Sequence, residues 1–318
     1  MNFRRSFLLG VVFLVGVSLV FSGCAGEDTH FLSVGTGGTA GVYYPLGGAM
    51  ADLIEIEIEN VNVSAQSTGA SVENSRLIGD GEVEIAIIQN DIASYAYEGK
   101  ENFADDAVTN LRGIATLYPE VIQIVVREEA DIETIDDLRG KKVAVGAPGS
   151  GAEANAKQIL NHFGITYDDL EEDFLSFNEA AGRLSDRQID AAFVTAGIPT
   201  AAIMDVAASQ DISILNFTPE EIASINEAYP YLTGVTVEAG TYSGQEEAAN
   251  TVALQATLVV SEDLEEDLVY EMTNAIFENR DKLMEAHSRA QDITVETAQD
   301  GMTVPLHPGA KEYFDSLN

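Results

Sequence analysis

The sequence predicts an α/β protein built from two similar, doubly wound lobes joined by crossover strands. Three observations lead there. Short β-rich runs alternate with helical patterns along most of the 318 residues, an order that implies parallel sheets with helices on their faces. Two stretches then recur in the same order: SVGTGGTAG (33–41) parallels AVGAPGSGA (144–152), and GEVEIAIIQ (81–89) parallels RQIDAAFVT (187–195). Their spacing also agrees, with 54 residues from Gly35 to Gln89 and 49 from Gly146 to Thr195. Finally, two β-rich stretches outside the repeat are placed to carry the chain between the lobes.

The first unit opens with the strand FLSVG (31–35), a helix over 42–54, the strand VNVSAQ (61–66), a helix over 70–78 and the strand EIAIIQ (84–89). Pro45 falls in the first turn of its helix, where a missing N–H is harmless. The second unit repeats this with KVAVGA (142–147), a helix over 153–163 stopped by Gly164, the strand DFLSF (173–177), a helix over 179–187 and DAAFVT (190–195). Between them, residues 111–129 read as two β-rich runs separated by Tyr118-Pro119-Glu120, the crossover and expected hinge. Residues 254–264 form the return. A long amphipathic helix over 265–287 follows, with Val269, Met272, Ile276 and Leu283 near one face, then a turn and a short C-terminal helix. Lobe 1 is assigned to 31–117 and 252–318, and lobe 2 to 118–251.

The first 23 residues read as an export signal: Arg4 and Arg5, an apolar stretch, then small residues. RRSFLL resembles the twin-arginine pattern, with an ordinary Sec signal as the alternative. FSGC places Cys24, the sole cysteine, where a lipobox cysteine stands, so it is expected to be lipidated and followed by a linker over 24–30. A single cysteine allows no internal disulfide. The expected location is extracytoplasmic, anchored to the outer face of the cytoplasmic membrane.

Acidic residues number 53 against 16 basic, a net charge of −37, and they are dispersed rather than gathered in a tail. Dispersed acidity fits solubility at high ionic strength, where self-repulsion is screened, and predicts a halophilic source. It disfavours nucleic acid as a partner, since phosphate contacts require Lys and Arg.

Ligands of parallel sheets sit beyond the carboxyl ends of the strands, and helix N-termini there offer N–H groups to anions. Gln89-Asn90-Asp91 and Thr195-Ala196-Gly197 are such ends, and both Gly-rich turns join them. Gly35-x-Gly37-x-x-Ala40 fits a dinucleotide fingerprint, but the following strand ends Gln66-Ser67-Thr68 without the ribose-binding acid. GAPGSGAE lacks the Lys of a phosphate-binding P-loop, and a plain tight turn is its other reading. The four histidines, His30, His162, His287 and His307, lack metal-binding spacing, and no Gly-x-Ser-x-Gly elbow is present. No metal, cofactor or catalytic group is expected. One of Tyr43 and Tyr44 should face the cleft. Asn74 reads as a surface residue unless its helix start faces the cleft. Asp91 is either a ligand contact or a helix cap.

Together GTGGTAGVYYPLGGAMA, STGASVEN, AIIQND, LYPE, DLRGKKVAVGAPGSG, DAAF and LHPGA resemble the TAXI family, the solute receptors of TRAP transporters. The resemblance covers the chain from Phe31 onward. It implies a bilobal type II periplasmic-binding-protein fold that closes on its solute. The implied partners are small and large TRAP membrane subunits, separate or fused, driven by an ion gradient. It implies a small organic acid or amino acid as solute, glutamate-like or 2-oxoglutarate-like, bound by a monomer. The contacts it carries over are Thr36, Gly37, Gly38, Tyr43, Tyr44, Gln66, Ser67, Thr68, Gln89, Asn90, Asp91, Ser150 and Gly151. The strand end adds Thr195 and Gly197. The family's GSGT loop departs here, with Ala152 in place of Thr. Two rivals stand beside this reading: a receptor of the same fold for an ATP-driven importer, and a secreted α/β enzyme. A sensor input domain is a third.

Overall fold

The computed structural model describes residues 29–317. The export signal and Cys24 lie outside the described residues. In chain order the regular elements are β1 (His30–Gly35), α1 (Tyr43–Glu57), β2 (Val61–Gln66), α2 (Ser71–Gly79), β3 (Ile85–Gln89) and α3 (Asn90–Glu98). The crossover β4 (Leu111–Arg127) leads to β5 (Lys142–Ala144), α4 (Gly151–His162), β6 (Glu171–Asp173), α5 (Phe177–Ser185), β7 (Ala191–Ala196) and α6 (Ala201–Ala207). Then come β8 (Ile212–Ile214), α7 (Pro219–Ala228), β9 (Thr233–Val237) and the return strand β10 (Ala249–Ser261). Helices α8 (Glu266–Glu278), α9 (Arg280–Ala286) and α10 (Pro308–Ser316) close the chain.

The strands run in the order β2-β1-β3-β10-β4-β7-β5-β6. β1 pairs in parallel with β2 and β3, and β5 in parallel with β6 and β7. Each lobe is thus three parallel strands with the first in the middle. The crossover strand beside its third strand runs antiparallel, β10 against β3 and β4 against β7. The internal repeat in the sequence is this repeated topology. Apolar packing divides accordingly: one cluster joins Val34, Leu46 and Ile87 to Met272 and Phe314, and another joins Ile124, Val143, Ile159 and Phe193.

Three elements differ from the sequence reading. β4 is one strand of 17 residues, not two. Pro119 cannot donate to the ladder, but it pairs with Gln255 next to a register shift between Ala256 and Thr257, where an irregular ladder tolerates proline. DFLSF is not a strand over its length. β6 ends at Asp173, and Ser176 caps α5 in a capping box with Glu179, a Ser-x-x-Glu signal that outweighs the β-rich run. The long C-terminal helix breaks at Asn279, whose Nδ2 donates to the Ala275 carbonyl at 3.0 Å, a side-chain bond that competes with the helix ladder. The face containing Val269, Met272, Ile276 and Leu283 is nonetheless buried throughout. His307 is also buried and caps α10 by accepting from the Gly309 N–H.

Candidate functional site

The Gly-rich turn after β1 is fixed from beneath by Asn74, which is fully buried on α2 rather than on the surface. Its Nδ2 donates to Thr36 O at 2.7 Å and Ile87 O at 3.0 Å. The Thr68 hydroxyl donates to Asn74 Oδ1 at 2.7 Å and itself accepts from the Ala70 N–H. Thr36 Oγ1 donates to Gln66 O at 2.5 Å, and Ser67 Oγ to Gly37 O at 2.9 Å. Thr36, Gln66, Ser67 and Thr68 therefore shape the turn. None of them lines the cavity that the turn faces.

That cavity lies between the lobes. Lobe 1 contributes Gly37, Gly38, Tyr43, Ser71 and Gln89, while Glu120 comes from the crossover strand. Lobe 2 contributes Ser150, Gly151, Phe177 and Thr195. Its volume is about 50 Å³, room for roughly four water-sized groups at about 10–15 Å³ each. The lobes meet around it. The Glu73 N–H donates to Gly149 O at 3.1 Å, and Asn178 Nδ2 to Thr39 Oγ1 at 3.2 Å. Asn155 Nδ2 donates to Asp91 Oδ2 at 3.0 Å, and Tyr231 of lobe 2 bonds Ser94 and stacks edge-on against Tyr95. At Gly151 the lobes approach closely, since a Cβ there would overlap the Gln89 carboxamide.

Seven of the expected contacts come together here: Gly37, Gly38, Tyr43, Gln89, Ser150, Gly151 and Thr195. Of the tyrosine pair, Tyr43 is the inward one. Tyr44 is 38% exposed and does not line the cavity. Asn90 points away, its Nδ2 donating to Gly301 O and its Oδ1 accepting from the Gln255 N–H. Asp91 serves the seam between lobes, and burial pushes its carboxyl up to about 6 despite donors from Ile92 and Asn155. Gly197 packs against Tyr118 and Arg289 instead.

The sequence reading missed Glu120, Ser71 and Phe177 as lining residues. Glu120 is 3% exposed at the middle of β4. Tyr43 OH donates to its Oε2 at 2.6 Å, and Ser71 Oγ lies 3.4 Å from the same hydroxyl. Burial raises the Glu120 carboxyl to about 8; the Tyr43 bond pulls it down, and the Asp91 charge pushes it up. The Tyr43 hydroxyl is raised well above its ordinary value, by burial first and then by Glu120. One signal for Glu120 was present: a lone acid entering the apolar run VIQIVV. Among the described residues, no Lys or Arg lines the cavity. Helices α1 and α2 begin at it without a side-chain cap, while Ser150 caps α4 by accepting from the Glu153 N–H at 3.0 Å. Uncapped helix starts leave N–H groups for an anion, although Pro45 has none to give on α1 and the Glu73 N–H of α2 already donates to Gly149 O.

Two lobes of 2-1-3 parallel strands, each closed by an antiparallel crossover strand, with a cavity between them, define the type II fold of periplasmic solute-binding proteins. The chain belongs to the NMT1-like family, whose model matches residues 34–316. Among solved structures it is similar to a protein of Bordetella bronchiseptica RB50, with a TM-score of 0.55, 17% identity, and 88% of this chain and 84% of that one covered. It is also similar to the alkanesulfonate-binding protein SsuA of Xanthomonas axonopodis pv. citri bound to MOPS, at a TM-score of 0.45 and 14% identity over 91% and 84%. The periplasmic aliphatic sulphonate binding protein SsuA of Escherichia coli aligns at 0.46 and 14% over 91% and 79%.

Proposed function

We propose that the protein is an extracytoplasmic solute-binding receptor that delivers a small carboxylate or amino acid, glutamate-like or 2-oxoglutarate-like, to a TRAP permease. The observation that carries this reading is the interlobe cavity at which α1 and α2 start without side-chain caps. Those N–H groups receive a carboxylate in a site where, among the described residues, no Arg or Lys stands. Closure of lobe 1 (31–117 and 252–318) on lobe 2 (118–251) then buries the solute. The TAXI-like motifs support small and large TRAP subunits, or their fusion, as the membrane partners of a monomeric receptor. The N-terminal signal and Cys24 support lipid anchoring to the outer face of the cytoplasmic membrane. The acidic surface supports a halophilic setting. In this reading the protein binds and performs no chemistry.

The test is a thermal-shift scan with dicarboxylates and amino acids at high salt. A true solute at about 100 times its Kd adds about 2.7 kcal/mol of stability. A folded protein that no acid or amino acid stabilises refutes the reading. Uptake in proteoliposomes with the neighbouring membrane proteins separates the permeases: TRAP coupling requires an ion gradient, whereas an ATP-driven importer requires nucleotide.

A further inference from the structure

Two Asn-x-Ser/Thr triplets stand in the chain, Asn62-Val63-Ser64 and Asn216-Phe217-Thr218. In an exported protein such a triplet is an acceptor for an N-linked sugar wherever a transferase can reach it. The fold treats the two differently. Asn216 Oδ1 accepts from the Asn250 N–H at 2.9 Å, and Phe217 is 1% exposed with its N–H on Asn250 O at 2.8 Å. The Thr218 hydroxyl caps α7, donating to Glu221 Oε2 at 3.0 Å and accepting from the Glu221 N–H at 3.2 Å. Both recognition side chains are thus committed to the fold. Asn62 and Ser64 are exposed, two residues apart on β2 and so on one face of the strand. Among the described residues Asn62 Nδ2 donates only to the preceding Val61 carbonyl, at 3.2 Å, and the Ser64 hydroxyl makes no hydrogen bond.

The place where the free triplet lies is itself unprotected. β2 ends the sheet and pairs with β1 alone. Open edges invite pairing with other chains, and proteins blunt them with charge. At the opposite end of the sheet β6 does so, with the sequence Glu171-Glu172-Asp173. β2 carries no charge at all, in a chain with 53 acidic residues. Two large apolar side chains flank it. Phe31, 74% exposed, is the register partner of Asn62, and Ile56, 71% exposed, lines a surface crevice together with Asn62. They are the most exposed large apolar side chains among the described residues. An uncharged edge, an exposed apolar pair and a free acceptor triplet coincide there.

We propose that Asn62 is N-glycosylated, and that the glycan covers the β2 edge together with Phe31 and Ile56. This inference rests on the extracytoplasmic part of the receptor reading and adds a modification site away from the solute site. The donor is a lipid-linked sugar phosphate. Asn62 Nδ2 forms a bond to the sugar C1 as the C1–O bond to phosphate breaks. The phosphate leaves with the electron pair, and one Nδ2 proton passes to a base of the transferase. The Ser64 hydroxyl is the group by which the triplet is recognised. A chain exported already folded, as the twin-arginine pattern directs, presents Asn62 to the transferase and withholds Asn216. A bulky, hydrated glycan then does for β2 what three acids do for β6. It leaves the cleft clear: Phe31, beside Asn62, stands four residues before Gly35, where β1 enters the Gly-rich turn, a rise of roughly 13 Å.

The experiment is peptide mass spectrometry of the full chain, made with its own export signal in its native host, for the unaltered protein and for Asn62→Gln, Ser64→Ala and Asn216→Gln. Expected are a sugar mass increment on the peptide that holds Asn62, its loss in Asn62→Gln and in Ser64→Ala, and its retention in Asn216→Gln. Ser64→Ala keeps the asparagine and removes only the recognition hydroxyl, so it separates enzymatic transfer from any other change at Asn62. If a variant does not fold, the Asn62 peptide of the unaltered protein decides. An exported protein with Asn62 bare, or with sugar on Asn216 alone, overturns the site and leaves the receptor reading standing. A protein glycosylated at Asn62 that no acid or amino acid stabilises keeps the site and removes the receptor reading. A chain retained in the cytoplasm with Asn62 bare overturns both.

Discussion

Replacing Glu120 with glutamine keeps the side-chain shape and an acceptor for Tyr43, but removes an ionisation from the molecule's interior. Folding raises this carboxyl from an ordinary 4.5 to about 8, chiefly by burial. A raised carboxyl holds its proton more tightly when folded. Its stabilising contribution is whole below about 4.5 and is lost as pH climbs through about 8. From about pH 6 to about pH 9 the unfolded chain stays ionised while the folded carboxyl surrenders its proton, a loss of about 2.7 kcal/mol. For a protein of this size, with about 2.1 cal/mol/K of unfolding entropy per residue, that is roughly 4–5 °C in Tm. The glutamine variant escapes the loss, so its Tm relative to the unaltered protein should rise by that amount between the two pH values. Thermal melts of both proteins, followed by circular dichroism at fixed high salt, measure it. Every other titrating group is shared and cancels in the comparison. A gap between the two Tm values that is equal at both pH values would refute the burial argument for Glu120.

Gly151→Ala drives the Gln89 carboxamide out of its place across the cleft; solute affinity should fall roughly 10-fold or more while Tm barely changes, because only the far end of a flexible side chain must move, and paired titration and melting measurements read both. Asn155→Ala removes the lobe 2 donor to the buried Asp91 carboxyl, a cost of about 1–3 kcal/mol that falls on the closed form; the radius of gyration in small-angle scattering should increase, and an unchanged profile would rule out the seam as a latch. With a net charge of −37, Tm should rise steadily as salt shortens the Debye length from about 10 Å at 0.1 M to about 3 Å at 1 M, and a flat salt series would remove the case for a halophilic surface.

The two-lobed plan was legible because it is written twice. The paired Gly-rich turns and paired strand ends located Gln89 and Thr195 at equivalent places, and each has a buried side-chain oxygen without a hydrogen bond. Single-copy features were harder to read. Glu120 belongs to no repeat and lies in the crossover, where Pro119 argued for a break in the strand rather than for a site. Asn74 looks like any polar residue on a helix; its burial follows from the turn above it, which needs a side chain to take Thr36 O and Ile87 O. Thr36, Gln66, Ser67 and Thr68 are polar for the sake of that same turn, so their chemistry pointed to a ligand they do not touch. Local spacing places residues near a cleft; which way each side chain turns depends on partners far away in sequence.

The unbroken crossover has a mechanical consequence. β4 and β10 pass from one lobe to the other as a paired ribbon, with Tyr118 opposite Ala256 and Val121 opposite Ala253. Any rotation of the lobes is taken up by twisting that ribbon, and points on the axis of a rotation travel least. Glu120 sits on that ribbon between Pro119 and Val121, with Thr195 one strand away on β7 and Gln89 two strands away on β3, beyond β10. If the lobes part about this ribbon, the acid would stay near the floor of the cleft and be reached by water. Burial raises this carboxyl to about 8 with the lobes as they stand, so a lobe movement that let water reach it would lower that value.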